Sequence, residues 1–238
     1  MTTPSAYQPA VYVYEGPLRL WHWINALSII VLIVSGYLIA SPLPSVPGEA
    51  SEHFLMGYIR FAHFAAGYLL IVGFIGRIYW MIVGNWHARE IFFPHFLSAK
   101  WWAEVLHEIK WYLFIAKEPK KYEGHNPLAT FVMFLLVWGI FFMIFTGLAL
   151  YGEGEGMDSW QYRFFSSWII PLFGNSQNIH TYHHLVMWGF VLFIMVHVYA
   201  AFREDVMSRQ SIISTMISGW RTFKDTRPAE DHHDSKGF

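Results

Sequence analysis

Thirteen histidines and no cysteine define the chemistry open to this chain. Without thiols there is no disulfide, no thiolate nucleophile, no covalently attached c-type haem and no iron–sulfur cluster held by the chain's own sulfurs. The imidazoles remain as the stock of metal ligands. Four of them, His22, His63, His183 and His197, fall inside long apolar stretches, where ionisable groups are costly and usually functional. His183 and His197 are fourteen residues apart. At ~100° and 1.5 Å per residue they share a helix face to within ~40° and stand ~21 Å apart along the axis. The alternative, His184 with His197, misses alignment by ~140°. By position in their stretches, His63 matches the depth of His183, and His22 that of His197. Two bis-histidine pairs result, His63/His183 and His22/His197. This arrangement suits two stacked haem b groups whose irons, with both axial positions filled, transfer electrons and bind no substrate.

The elements that position these rings are membrane spans. The chain is 55% hydrophobic and only 14% charged, against about 25% charged in soluble domains. A net charge of −1 supplies no field for a polyanion, so no nucleic acid partner is expected. A span needs about 20 apolar residues. Residues 20–40, 127–151 and 179–202 contain no Asp, Glu, Lys or Arg, and 61–83 contains only Arg77. These four stretches predict an all-α, four-helix transmembrane bundle forming one integral-membrane domain over 1–238. Residues 1–15 read as a short polar arm, and no basic region or small-residue cleavage site marks the first span as a signal peptide.

Charge asymmetry orients the bundle. Residues 84–126 carry six Lys and Arg and the tail after residue 202 another six, whereas 41–53 carries none and 152–178 only Arg163. The positive-inside rule places both termini and the middle loop in the cytoplasm. His63 and His183 then lie toward the outer face, His22 and His197 toward the inner. Within the middle loop, Trp101, Trp102, Val105, Ile109, Tyr112 and Leu113 recur near helical spacing among Lys100, Glu104, Glu108 and Lys110. They predict an interfacial amphipathic helix over 101–116.

Smaller features fit around the rings. Gly36, Gly67, Gly139 and Gly147 would let a flat macrocycle approach the backbone, although small residues also serve plain helix packing. Arg77, fourteen residues after His63, is placed to hold a propionate of the inner haem or to snorkel to the headgroups. His180 and His184 stand one turn apart without an apparent third ligand for zinc.

Longer runs resemble a known family. They comprise Arg19-Leu20-Trp21-His22-Trp23, Pro42-Leu43-Pro44-Ser45-Val46, Met56-Gly57-Tyr58-Ile59-Arg60 and Gly124-His125-Asn126-Pro127. Gly174-Asn175-Ser176, Ile179-His180, Arg203-Glu204-Asp205-Val206-Met207-Ser208 and Ile213-Ser214-Thr215-Met216 complete the set. Together they resemble the b-type cytochrome subunit of membrane-bound bacterial nickel–iron hydrogenases over nearly the whole chain. Formate dehydrogenase cytochrome subunits share the four-span di-haem plan but look less similar.

The resemblance implies an electron-transfer subunit in the bacterial inner membrane that anchors a periplasmic hydrogenase. The partners implied are the iron–sulfur small subunit and the nickel–iron large subunit. Electrons would leave the small subunit, cross two haem b groups held by His22, His63, His183 and His197, and reduce a quinone near the inner haem. Hydrogen chemistry itself would belong to the partner. Arg77, Trp80, Arg203, Glu204 and Asp205 are candidates to line the quinone site, Arg203-Glu204-Asp205 reading otherwise as a charged stop after the last span. The competing readings are a cytochrome subunit of a formate dehydrogenase-type enzyme, a haem-free transporter using the histidines as a relay, and a passive anchor.

Overall fold

The computed structural model describes residues 10–44, 47–49, 52–208 and 210–223. Part of the outer-loop resemblance, Ser45 and Val46, lies outside the described residues, as do the tail histidines His232 and His233.

Four long helices carry the apolar stretches: α1 (Gly16–Ala40), α2 (Leu55–Val83), α4 (Pro127–Glu155) and α6 (Ser176–Met207). Between them lie α3 (Ala99–Tyr112), α5 (Ser167–Phe173) and α7 (Ile212–Ser218), with a short strand at each end, β1 (Ala10–Tyr12) and β2 (Trp220–Thr222). Each long helix overruns its apolar stretch by several residues at one end or both. Backbone hydrogen bonding continues wherever no proline or glycine ends it, and charge is tolerated once the helix has left the hydrocarbon. α6 therefore runs on through Arg203-Glu204-Asp205 to Met207. Large apolar side chains such as Leu27, Val72, Leu135 and Leu192 remain exposed along these helices, as expected where the solvent is lipid.

The chain divides into two compact units. One comprises residues 1–20, 79–135 and 196–238. Here residues 10–15 of the short polar arm are built into the fold. β1 pairs antiparallel with β2, Ala10 opposite Thr222 and Tyr12 opposite Trp220. Val13 and Tyr14 are buried in a small core with Leu18 and Ala88. Alternation of Val11, Val13 and the tyrosines was the available signal, but so short a strand forms only against a partner more than 200 residues away. Glu15 fixes the start of α1, accepting hydrogen bonds from Trp80 Nε1 and the Asn85 amide, both at 3.0 Å. Asn85 in turn donates to the Val13 carbonyl at 2.8 Å and caps the 3-10 turn Trp86–Ala88.

α3 lies in the same unit and confirms a helix in the middle loop, but with a different inward face. Trp101, Glu104, Val105, Glu108 and Trp111 are buried, whereas Trp102, Leu106, Ile109 and Leu113 are exposed. Its apolar residues divide between the two sides, and the Glu104 and Glu108 carboxylates face in. Sequence periodicity finds the helix but not which of its residues turn inward.

The other unit comprises residues 21–78 and 136–195. Its packing includes a Phe74–Phe141 edge contact at 4.8 Å and a cluster of Ala149, Ile169 and Ile179. A π-helical turn, Tyr162–Ser166, leads into α5. Gly152 admits this turn, because a Cβ there would stand 2.6 Å from the Tyr162 amide nitrogen.

Candidate functional site

His63 on α2 and His183 on α6 both lie in the second unit, close enough to feel each other electrostatically. Each ring is held in the same way from a neighbouring helix. On α1, Ser35 Oγ stands 2.9 Å from His63 Nδ1 and donates its own proton to the Val31 carbonyl at 2.6 Å. On α4, Thr146 Oγ1 stands 2.8 Å from His183 Nδ1 and donates to the Phe142 carbonyl at 2.7 Å. The residue after each hydroxyl is a glycine set against the same ring. A Cβ at Gly36 would lie 3.2 Å from His63 Cε1, and one at Gly147 would lie 3.4 Å from His183 Cε1. Bulkier residues there would displace the imidazoles.

Two of the four singled-out glycines are thus placed at the rings and two are not. Gly139 faces Phe190, and the nearest neighbour at Gly67 is Leu32, at 3.9 Å. Ser35 and Thr146 escaped the sequence reading. Their signal was present, since a hydroxyl residue precedes glycine in both apolar stretches.

His184, beside His183, is engaged differently: its Nε2 accepts a hydrogen bond from Trp188 Nε1 at 3.0 Å. His180 Nδ1 lies 3.1 Å from the Ser176 carbonyl. Among the described residues, no group of three or more His, Asp or Glu side chains gathers to hold a metal ion directly. The zinc alternative for His180 and His184 therefore lacks its third ligand.

The other two sequence-chosen rings fall in different units. His22, in the second, meets Trp23 edge-to-face at 5.0 Å. His197, in the first, lies within electrostatic reach of His125. Arg77 is 2% exposed and lies with its guanidinium carbon 5.4 Å from the centre of the Trp21 ring. It is buried, so it does not snorkel.

The surroundings of His63 and His183 fit a haem. Both rings have Nδ1 against a hydroxyl, both are half-buried in apolar helices, and both have a glycine beside Cε1. Neutral imidazoles with Nδ1 engaged are the usual form of histidine metal ligands.

A second feature lies in the first unit, where Phe114, Tyr199, Phe202, Arg203, Val206 and Met207 line a shallow, open cavity of about 370 Å³, its apolar walls exposed. Arg203 is caged by the rings of Trp111, Tyr112 and Phe114, each 4.7–4.8 Å from its guanidinium carbon. It donates to the Trp111 carbonyl at 2.6 Å, while Trp111 Nε1 donates to Glu204 at 2.6 Å. Phe114 sits at φ +60°, a conformation that is uncommon for a bulky residue. Behind this wall lie the buried carboxyls of Glu104 and Glu108. Burial, reinforced by Glu204, pushes the Glu108 carboxyl up to about 8. Of the residues singled out beforehand, Arg203 lines the cavity. Glu204 lies behind it, whereas Trp80 bonds Glu15 and Asp205 accepts from the Ile213 amide at 3.1 Å.

Comparison with known proteins gives the family of the chain. The family described as prokaryotic cytochrome b561 matches residues 13–219. A probable Ni/Fe-hydrogenase B-type cytochrome subunit of Azotobacter vinelandii is 63% identical over 222 residues, covering 93% of this chain and 92% of that one. Its counterpart in Cupriavidus necator is 57% identical over 217 residues, covering 91% and 88%. The hydrogenase 1 counterpart in Escherichia coli K12 is 47% identical over 219 residues, covering 90% and 91%.

Proposed function

The chain belongs to the prokaryotic cytochrome b561 family of nickel–iron hydrogenase b-type cytochrome subunits, and on that premise we propose that it is a di-haem b subunit linking a hydrogenase to membrane quinone. It is a multi-pass membrane protein with a cytochrome b role in electron transfer. The finer reading is that it receives electrons from the iron–sulfur small subunit of the hydrogenase at the outer face. It delivers them to a quinone at the cytoplasmic face and anchors the small and large subunits to the bacterial inner membrane.

The observation that carries this reading is the paired setting of His63 and His183, each with Nδ1 against a hydroxyl and Cε1 against a glycine. Haem b, when bound, supplies a one-electron couple. The chain's part is to offer Nε2 from His63 and His183 at the outer depth and from His22 and His197 at the inner depth. It also excludes water with apolar helix faces, and Arg77 is available to a propionate of the inner group. The helical spacing of His183 and His197 supports two levels, and the excess of Lys and Arg in the middle loop and tail supports the orientation.

The Arg203 cavity supports a quinone site on the cytoplasmic side. Its walls are apolar, its one cation is held off water by aromatic rings, and Glu108, protonated at neutral pH, stands behind it. Such a site can hold a quinone ring and stabilise negative charge as it is reduced. Hydrogen chemistry belongs to the partner subunits. Hydrogen-driven quinone reduction by membranes carrying the whole complex tests the reading. Variants His22→Ala, His63→Ala, His183→Ala and His197→Ala should each abolish it while hydrogen-dependent dye reduction by the hydrogenase persists.

A further inference from the structure

We propose that Ser35 and Thr146 are positioning residues that fix the tautomer and raise the donor strength of His63 and His183, and so lower the reduction potential of the haem those rings would share. This rests on the reading of the two histidines as axial ligands.

The proton bookkeeping leaves one arrangement. A serine or threonine hydroxyl has a single proton to donate. The Ser35 proton goes to the Val31 carbonyl at 2.6 Å and the Thr146 proton to the Phe142 carbonyl at 2.7 Å. A carbonyl oxygen cannot donate, so each hydroxyl oxygen meets its histidine only as an acceptor. The hydrogen in the 2.9 Å and 2.8 Å contacts must therefore come from Nδ1 of the ring. A neutral imidazole with its proton on Nδ1 carries its lone pair on Nε2. The two hydroxyls thus select, at both rings, the tautomer that can ligate iron through Nε2.

Orientation follows from the same pair of residues. The hydroxyl fixes one edge of the ring, and the adjacent glycine leaves room beside the Cε1 edge, where an added Cβ would come to 3.2–3.4 Å. Back-bonding of Ser or Thr to the carbonyl four residues earlier is ordinary in apolar helices. It does not require a histidine at the oxygen's other side, nor a glycine next in sequence. Both occur twice, on separate helices, around the two rings. Polarising the Nδ1–H bond toward an acceptor gives the ring some imidazolate character, which favours the ferric state.

The two sites are not equal. The Leu32 carbonyl also lies near His63, 3.4 Å from the Ser35 hydroxyl, and is an alternative acceptor if Ser35 is removed. The hydrogen bond at His183 Nδ1 goes to Thr146. Loss of the threonine should therefore act more strongly than loss of the serine.

The test uses the full hydrogenase–cytochrome complex, purified in mild detergent, with haem content, optical redox titration and low-temperature electron paramagnetic resonance as readouts. Thr146→Val should retain haem b at the unmodified level, raise the midpoint potential of one haem, and shift that haem's low-spin ferric signal. Thr146→Ser should restore both. Ser35→Ala should move the same haem in the same direction by less. If Thr146→Val does not assemble, Ser35→Ala set against Ser35→Thr carries the comparison. Unchanged potential and spectrum in haem-replete Thr146→Val, or shifts of different haems in the two variants, would overturn the proposal. The ligand reading is tested separately: full retention of low-spin haem in both His63→Ala and His183→Ala would sink that reading.

Discussion

The Thr146 hydroxyl lies 2.8 Å from His183 Nδ1 while its proton is committed to the Phe142 carbonyl, and Ser35 stands toward His63 in the same relation. Ser35 and Thr146, 111 residues apart on separate helices, thus present the same dipeptide, hydroxyl then glycine, to the two imidazoles. The site is a property of four helices, two bearing rings and two bearing what holds them.

Steric room at the glycines gives the first prediction. Gly36→Val and Gly147→Val place a branched side chain against the His63 and His183 rings, where even a Cβ would lie only 3.2–3.4 Å from Cε1. Overpacking of this kind costs about 1–3 kcal/mol and displaces side chains. Pyridine haemochrome analysis should show haem falling from two per chain to about one in each variant. Gly139→Ala and Gly67→Ala, facing Phe190 and Leu32 respectively, should retain both haems.

The cavity gives the second. Arg203→Leu removes the cation that the three aromatic rings enclose. Hydrogen-dependent reduction of a soluble quinone analogue should slow by at least about tenfold, a loss of about 1.4 kcal/mol of transition-state stabilisation. Haem content and haem reduction by hydrogen should be unchanged. Equal quinone reduction in the variant would remove the cavity from the pathway.

How far the molecule could be read from its sequence depended on the range of the interactions. The four spans follow from unbroken apolar runs, since a lipid environment leaves the backbone little choice but helix. The proposed histidine set comes from helical arithmetic on His183 and His197 and from matched depth for His63 and His22. What the sequence hid was long-range or context-dependent. The β1 strand exists because β2 lies opposite it. α3 turns Glu104 and Glu108 inward because its outer solvent is apolar, and no periodicity reports that. Ser35 and Thr146 were not singled out. Only the neighbouring helix shows that each hydroxyl faces an imidazole.

Buried Glu108 gives a pH prediction. Its carboxyl titrates near 8 in the folded protein, raised from 4.5 chiefly by burial. The folded state therefore holds a proton that the unfolded chain releases as pH rises above 4.5. Stability falls with rising pH from about 4.5 until the folded group itself titrates near 8. Glu108→Gln keeps the neutral hydrogen-bonding shape and removes this dependence. Thermal unfolding of the purified protein between pH 5 and 8 should show a shallower decline in the variant than in the parent.

Glu90 works in the opposite sense. The carboxylate accepts from the His125 amide at 3.1 Å and lies 2.5 Å from His87 Nδ1 and 3.2 Å from His125 Nδ1. Although burial opposes it, these partners hold the carboxyl down at about 2. Its stabilising contribution is present above pH 4.5 and is lost as pH falls toward 2. Glu90→Gln should lower the melting temperature at pH 7 and narrow the gap from the parent at pH 3, read by the same unfolding measurement.

The account stands most directly on the number and ligation of the haems. Oxidised and dithionite-reduced spectra of the detergent-purified protein, with a pyridine haemochrome assay, measure both. Two low-spin haem b per chain, with loss of one in each of the four histidine variants, is the predicted result. A folded chain produced with ample haem that holds none, or that keeps both when His63 or His183 is replaced, would contradict it.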